Sequence, residues 1–489
     1  MTITYVTSKD PITPVRQTTY ITTDPAALPT QTTYINVINT PRPQTNRWAN
    51  KQKTHTATAG ILLFAYGGMD MAQSLNWNLQ TNIANTHELE FSWFIGVIIG
   101  ALVASLSVTH VPKWCFYSLG GLMQMIDAII FVSAPYNYTS IVAARYVGGA
   151  GIGLITVAFI IHNSEVATRS TRGLWCGLEQ YGLALGIAIQ VIIDSQWDTY
   201  SYVGVNCSHG IFGIVFSLIA TGSVAMSVES PIFYLSKNDE EKARSCQWML
   251  LPNSASTEAC NEALDEAKRY VSASTSQSFG AELVGSITPF IKMIFSRCLV
   301  AFTFSLPLSY LMEISTFDSQ GSLNWPIILW GILRWIGTIF TIALVDKLGR
   351  KFISLLGLLC MAALMLGMAG ILSHSLNVYY MHQVCCISMA FQFFAGLYVA
   401  CTPTYLGEAF PLRVKAILIG LIVCIEQVIH IIVIVTFAKK SDYFHYFLAV
   451  GIILAVAIII FAVLMPETRG LTLRQTSERF RRVHDVMAY

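Results

Sequence analysis

Several ionisable and amide side chains stand inside long apolar stretches of this sequence. Asp70 follows Gly67-Gly68-Met69, and Arg145 precedes Gly148, Gly149, Gly151 and Gly153. Arg334 interrupts a third stretch, and His162-Asn163 closes the one that Arg145 opens. Glu426 and His430 are spaced i, i+4, so on a helix they share a face and can touch. Gln180 and Gln190 lie ten residues apart, nearly three helical turns, and share a face too. If such stretches cross a bilayer, each ionisable group is costly and marks a site for protons, ions or solutes. Each amide offers a donor and an acceptor, which suits hydroxyl groups. Arg334, Glu426 and a titratable His430 projecting into one cavity would suit a charged or zwitterionic solute. An Arg334–Glu426 pair that only joins two helices is the structural alternative.

The composition requires such stretches. Of 489 residues, 54% are hydrophobic and only 12% are charged, about half the ~25% usual in soluble domains. Lys and Arg total 30 against 28 Asp and Glu, a net charge of +2, so no basic face for nucleic acid exists. Eleven Cys are scattered without CxxC pairs and read as small buried hydrophobes. No nucleophile–base pair, phosphate loop or metal cluster stands at usable spacing, so neither enzyme, metal site nor cofactor is expected.

About twelve runs reach the ~20 residues that a membrane helix needs. They lie near 57–76, 91–110, 114–134, 139–162, 174–195, 204–227, 295–316, 325–345, 351–372, 379–406, 416–437 and 443–465. Lys113, Arg169 with Arg172, Lys347 with Arg350 and Lys351, and Arg413 with Lys415 occupy alternate loops. The loops between carry almost no positive charge; Lys439-Lys440 is the exception. The positive-inside rule then places both termini in the cytoplasm, with the plasma membrane as the default location. The expected division is a flexible tail over 1–55, a six-helix lobe over 56–227, and a cytosolic linker with amphipathic helices over 228–294. A second six-helix lobe follows over 295–465, and a tail over 466–489. Sequons at Asn137 and Asn206 fall on the outer side, close to spans.

Matched motifs tie the two halves together. Glu165 to Gly173 after span four corresponds to Gly407 to Lys415 after span ten. Glu229-Ser230-Pro231 after span six corresponds to Pro466-Glu467-Thr468-Arg469-Gly470 after span twelve. Asp346-Lys347-Leu348-Gly349-Arg350-Lys351 follows span eight. Glu165, Arg172, Glu229, Arg350, Glu408, Arg413 and Glu467 are therefore candidates for a gate that pairs when the lobes close on the cytosolic side. One exposed pair contributes only about 0–1 kcal/mol, so such a gate needs a network.

With these motifs the chain resembles the sugar-porter family of the major facilitator superfamily over roughly residues 57–475, near its glucose and trehalose carriers. The resemblance implies an all-α fold of two pseudo-symmetric six-helix lobes that rock around a midplane site. It implies a facilitator or proton-coupled symporter for a small polar solute such as a hexose or trehalose. Gly177 to Gly186 resembles the family's glutamine segment, which makes Gln180 the sugar-binding glutamine. By the same resemblance Asp70 would bind the coupling proton with Arg145 beside it. The second half departs from the family. Span seven reads Thr303-Phe304-Ser305-Leu306-Pro307-Leu308-Ser309 in place of two glutamines and an asparagine, and Thr404 stands where an aromatic is usual. Arg334 replaces an amide, and Glu426 and His430 replace asparagines. The candidate substrate residues are thus Gln180, Gln190, Ser309, Arg334, Thr404, Glu426 and His430. The expected partners are a small-molecule solute, the lipid bilayer and protons, with no nucleic acid. A carrier of charged solutes and a non-transporting sugar sensor are the rival readings.

Overall fold

The structure is a computed structural model. It describes residues 47–78, 86–197, 203–252, 255–321, 323–373, 380–437 and 443–484. Most of the expected N-terminal tail and the Lys439-Lys440 pair lie outside the described residues.

The described chain is helical. The first half contains α1 (Arg47–Thr58), a π turn (Ala59–Leu63), α2 (Phe64–Ser74), α3 (His87–Ser107), α4 (Lys113–Ser133), α5 (Tyr138–Val166), α6 (Arg172–Gln196) and α7 (Val205–Ser223). Four short helices follow: α8 (Pro231–Leu235), α9 (Glu240–Leu250), α10 (Thr257–Thr275) and α11 (Phe279–Gly285). The second half contains α12 (Ile287–Ala301), α13 (Leu306–Gln320), α14 (Trp325–Leu348), α15 (Arg350–Leu372), α16 (Met381–Val399), α17 (Thr402–Glu408), α18 (Leu412–Thr436) and α19 (Tyr443–Leu464), with α20 (Leu473–Arg481) last. Eleven described segments are long and apolar enough to cross a membrane. The place of the expected first span is filled by the run α1–π turn–α2, which begins at Arg47.

Two spans are broken, and proline explains where they restart. Ile287–Gln320 breaks between α12 and α13, and Pro307 sits in the first turn of α13. Met381–Glu408 breaks between α16 and α17, with Pro403 in the first turn of α17. Proline has no N–H to satisfy and fits there at little cost. The broken backbone needs new partners inside an apolar body. Arg334 Nη1 and Gln392 Nε2 both donate to the Thr303 carbonyl at 3.1 Å.

Within the first half α5 packs on α3 and α4, α4 on α7, and α2 on α6. Within the second, α15 packs on α16 and α19, α14 on α16, and α12 on α18. The halves meet along two seams, α3 against α18 and α6 against α14. Leu106, Phe352 and Ile459 point outward from the bundle and stay exposed, as a lipid-facing belt requires. Backbone approach is close where glycines face carbonyls. A Cβ on Gly100 would strike the Ala150 carbonyl of α5, and one on Gly186 the Ala65 carbonyl of α2. Valine at either position should cost at least about 1–3 kcal/mol through forced backbone shifts. Size-exclusion profiles of detergent-solubilised Gly100→Val and Gly186→Val should show loss of the monodisperse peak, whereas Gly370→Val, with open space at its Cβ, should run like the parent.

Candidate functional site: buried charges along the lobe interface

A central cavity of about 30 Å³ lies where the lobes meet. Gln180 and Glu179 reach it from α6, Arg297 from α12, Arg334 from α14, and Glu426, Gln427 and His430 from α18. The charges here are tied together. Arg297 Nε donates to Glu426 at 2.7 Å and Nη2 to Glu179 at 3.2 Å, while Nη1 donates to Thr402 at 3.0 Å. One guanidinium thus bridges two acids on different lobes, and all three side chains are almost fully buried. Among the described residues Arg334 meets no acid; besides the Thr303 carbonyl it donates to Thr303 Oγ1 at 3.0 Å and Gln392 Oε1 at 3.1 Å. His430 stacks on Phe94 across the seam at 4.8 Å. Gln180 and Gln427 line the same cavity and show no side-chain hydrogen bond among the described residues. About 30 Å³ holds water and nothing larger, against the 300–1,000 Å³ of ligand sites, so this is a closed state.

The proposed Arg334–Glu426 pair is not formed, because Arg297 takes Glu426 and the helix break takes Arg334. Three of the seven substrate candidates lie elsewhere. Gln190 points into the first lobe and donates to the Trp77 carbonyl at 2.9 Å. Ser309 accepts from Trp77 Nε1 at 3.1 Å, above the cavity. Thr404 is held at the opposite end, 3.4 Å from the Gly173 carbonyl.

At the Trp77 end, contacts cross between the lobes. Besides Trp77–Ser309, Asn76 donates to Glu313 at 2.8 Å and Asn324 to the Ser195 carbonyl at 2.6 Å. Trp77 also packs on Trp330, 5.4 Å between rings. Above it opens a vestibule of about 530 Å³ lined by Asp194, Tyr310 and Glu313. Trp77 thus forms its floor. Asn206 is buried and its Nδ2 donates to the Pro135 carbonyl at 2.6 Å, so this sequon nitrogen is engaged in the folded lobe.

A second buried cluster lies inside the first lobe. Asp70 Oδ1 and His209 Nε2 are 3.0 Å apart, and His209 Nδ1 is 2.9 Å from Gln190 Oε1. Arg145 forms no ion pair with Asp70; it donates to Gln73 at 3.1 Å and to the Leu89 carbonyl. Asp127 completes the cluster, with one donor atom from each of Asp70, Asp127 and His209 within 4.8 Å of one another. Sequence reasoning missed Asp127, His209 and Arg297. The rule that singled out Asp70 applies to each of them equally, since all three interrupt expected spans.

At the charged end the candidate gate residues separate into two groups. Arg172 and Glu408 pair across the lobes at 3.0 Å, and Arg350 meets the same carboxylate at 3.5 Å. Asp346, not foreseen as a gate residue, crosses the seam to accept from the Gly173 and Leu174 N–H groups at 3.1 and 2.9 Å. A carboxylate on those free N–H groups caps α6 and suits its positive end. Glu467 accepts from the Arg350 and Lys351 N–H groups and caps α15 likewise, within its own lobe. Glu229 and Glu165 meet Lys113 at 3.1 and 3.9 Å, also within one lobe. Arg413 joins no acid among the described residues; it donates to the Gln277 carbonyl at 2.7 Å and anchors the short-helix segment. Of the acidic and guanidinium groups at this end, Arg172, Glu408 and Asp346 cross the lobes with Arg350 as their support, and Lys415 crosses beside them, its Nζ donating to Ser164 Oγ at 2.7 Å.

The chain belongs to the family described as sugar (and other) transporter, whose profile matches residues 35–480. It is a multi-pass membrane protein of the major facilitator fold. Among curated relatives it is 23% identical to a probable polyol transporter of Arabidopsis thaliana, over 83% of this chain and 89% of that one. It is 24% identical to the glucose transporter GlcP of Staphylococcus epidermidis, over 80% and 87%. It is 26% identical to the galactose-proton symporter of Escherichia coli over 58% and 61%. Among solved structures, the proton:xylose symporter XylE bound to 6-bromo-6-deoxy-D-glucose aligns with a TM-score of 0.73 at 18% identity, over 89% of this chain and all of that one.

Two outcomes test the charged end. Breaking a buried pair costs about 3–5 kcal/mol, so Arg172→Ala should open that end. Labelling of the buried Cys176, one turn along α6, by a thiol reagent should rise at least tenfold over the parent, read by peptide mass spectrometry. Glu229 lies just beyond α7. Burial alone would raise its carboxyl, but the Lys113 ammonium, His162 and the N–H groups of Ser230 and Lys113 outweigh that and hold it below its ordinary value. A lowered carboxyl stabilises the fold above the ordinary range near about 4.3 and loses that contribution as pH falls through its folded value. Thermal midpoints should therefore drop on acidification below about pH 4.3, with a shallower drop in Glu229→Gln.

Proposed function

We propose that this chain carries a neutral, polyhydroxylated solute, a hexose or a polyol, across the membrane by alternating access, coupled to protons. The observation that carries this reading is the pairing in the central cavity. Arg297 cancels Glu426 and shares Glu179, so the charges there hold one another, while the Gln180 and Gln427 amides from opposite lobes stay free for hydroxyl groups. Relatives named for polyols, glucose and galactose agree with that class. Buried Asp70 supports the coupling, as does the naming of two matched proteins as proton symporters.

In this reading the Arg172–Glu408–Asp346 end faces the cytosol, and both termini lie there, in the plasma membrane. The lobes rock about the α3–α18 and α6–α14 seams. Opening the Trp77 end breaks Trp77–Ser309 and Asn76–Glu313 and widens the cavity to admit solute. Closing it and breaking the Arg172–Glu408 end releases solute inward. Arg334 favours one second reading, because it faces the cavity without an acid partner among the described residues and would suit a solute with one anionic group.

Uptake of radiolabelled glucose, galactose, xylose, a polyol panel and a set of small organic anions into proteoliposomes decides between these readings. With one proton per solute, a one-unit pH gradient should support about tenfold accumulation, since one pH unit is worth about 1.4 kcal/mol. Asp70→Asn should abolish accumulation while leaving solute exchange in place. Uptake confined to anionic solutes, and lost in Arg334→Gln, would replace the sugar reading.

A further inference from the structure

The Asp70 cluster contains a donor–acceptor constraint. The Trp77 carbonyl can only accept, so Gln190 must offer it the NH2 group, as found at 2.9 Å. Gln190 Oε1 then faces His209 Nδ1 at 2.9 Å, and an oxygen there can only accept. His209 Nδ1 must therefore carry a hydrogen. The other ring nitrogen, Nε2, stands 3.0 Å from Asp70 Oδ1. If Nε2 is bare, the hydrogen in that contact belongs to a protonated Asp70. If Nε2 carries one, the ring is an imidazolium beside a carboxylate. Both assignments hold one proton more than a carboxylate beside a neutral imidazole.

We propose that Asp70 and His209 together form the proton site, that this structure shows it loaded, and that His209 transmits loading to the Trp77 floor through Gln190. The inference rests on the proton-coupled reading above and adds the residue that carries the signal. When the proton leaves to solvent, Asp70 is a carboxylate and accepts from the single N–H of His209 at Nε2. Nδ1 is then bare and faces Gln190 Oε1, acceptor against acceptor. The Gln190 amide must turn, and it gives up the Trp77 carbonyl. Trp77 follows Asn76, a non-glycine residue with φ of +84° at the end of α2, and its indole closes on Ser309 of the second lobe. Loss of the carbonyl contact loosens the floor between vestibule and cavity.

The surroundings fit one shared proton. Asp127 stands beside the pair from α4, and neither of its oxygens, nor Asp70 Oδ2, accepts a hydrogen bond meeting ordinary geometry among the described residues. Arg145 from α5 supplies one positive charge, and Tyr66 from α2 and Glu90 from α3 complete the facing ionisable groups. Among the fully buried groups, two aspartates against one arginine leave a surplus negative charge that a proton cancels, while Glu90, at the edge of the cluster, stands 3.1 Å from the exposed His87.

Amide hydrogen exchange of the purified full chain in nanodiscs tests this without any solute. The readout is the Leu75–Asn78 segment, whose Leu75 and Trp77 N–H groups bond the end of α2. After correction for intrinsic exchange, its protection should fall at least tenfold between about pH 5 and about pH 8, the range where histidine charge changes. In Asp70→Asn the amide donates to Nε2 permanently, and protection should stay high at both values. In Gln190→Leu it should be low at both. In His209→Gln it should not respond to pH. A parent segment indifferent to pH, or a His209→Gln variant that follows the parent, overturns the inference. Sugar uptake without this response leaves the transport reading standing alone, and the response without sugar uptake leaves the proton switch standing alone.

Discussion

A charge inside an apolar body must find its counter-charge within a few ångströms, and in this protein the counter-charge often sits on the other lobe. Arg297 holds Glu426 of its own lobe and Glu179 of the other, and Arg172 holds Glu408 across the charged end. Each such bridge stabilises the closed arrangement only while both lobes stay in place. Parting them leaves buried charges exposed to each other's absence, unless water or solute enters at once. The same chemistry that holds the interface shut makes an empty, dry, half-open interface costly. Motion is therefore favoured where water or solute can replace the lost partner.

The interface charges differ in what they do. Arg334 satisfies the broken backbone between α12 and α13, so its charge serves the fold of its own lobe. Glu467 and Glu229 do similar service, capping α15 and receiving the Lys113 N–H at the start of α4. Only where the two partners come from different lobes does pairing report on the conformational cycle. Sequence position at a matched motif does not distinguish these uses, because a helix cap and a gate both ask for a carboxylate at a helix end.

The all-helical, two-lobed fold and the membrane class were legible in the sequence, because hydrophobic run length is a local property. The first span was legible by length but not by its early start at Arg47, since the tail's polar residues mask a helix whose buried face begins with Gln52, His55 and Thr56. At the site, the presence of Asp70, Gln180 and Glu426 was legible. Their partners were not, because pairing depends on how helices distant in sequence rotate against each other. Arg145 was expected beside Asp70, yet it turns to Gln73 and the Leu89 carbonyl, and His209 takes the acid. Ser309 and Thr404 were placed by resemblance, and each stands just past the break of its span, in the first turn of α13 and of α17.

The π turn at Ala59–Leu63 has a consequence for register. One extra residue in a helix advances every later side chain by about 100° around the axis. Upstream of the turn, Gln52, His55 and Thr56 reach Val228, Ser223 and Asn163. Downstream, Asp70 and Gln73 reach His209 and Asn206. A regular α-helix through this stretch could keep one set in phase with its partners but would rotate the other away. The wide turn therefore works as a phase shifter, letting a single run serve two polar faces that belong to different depths of the membrane.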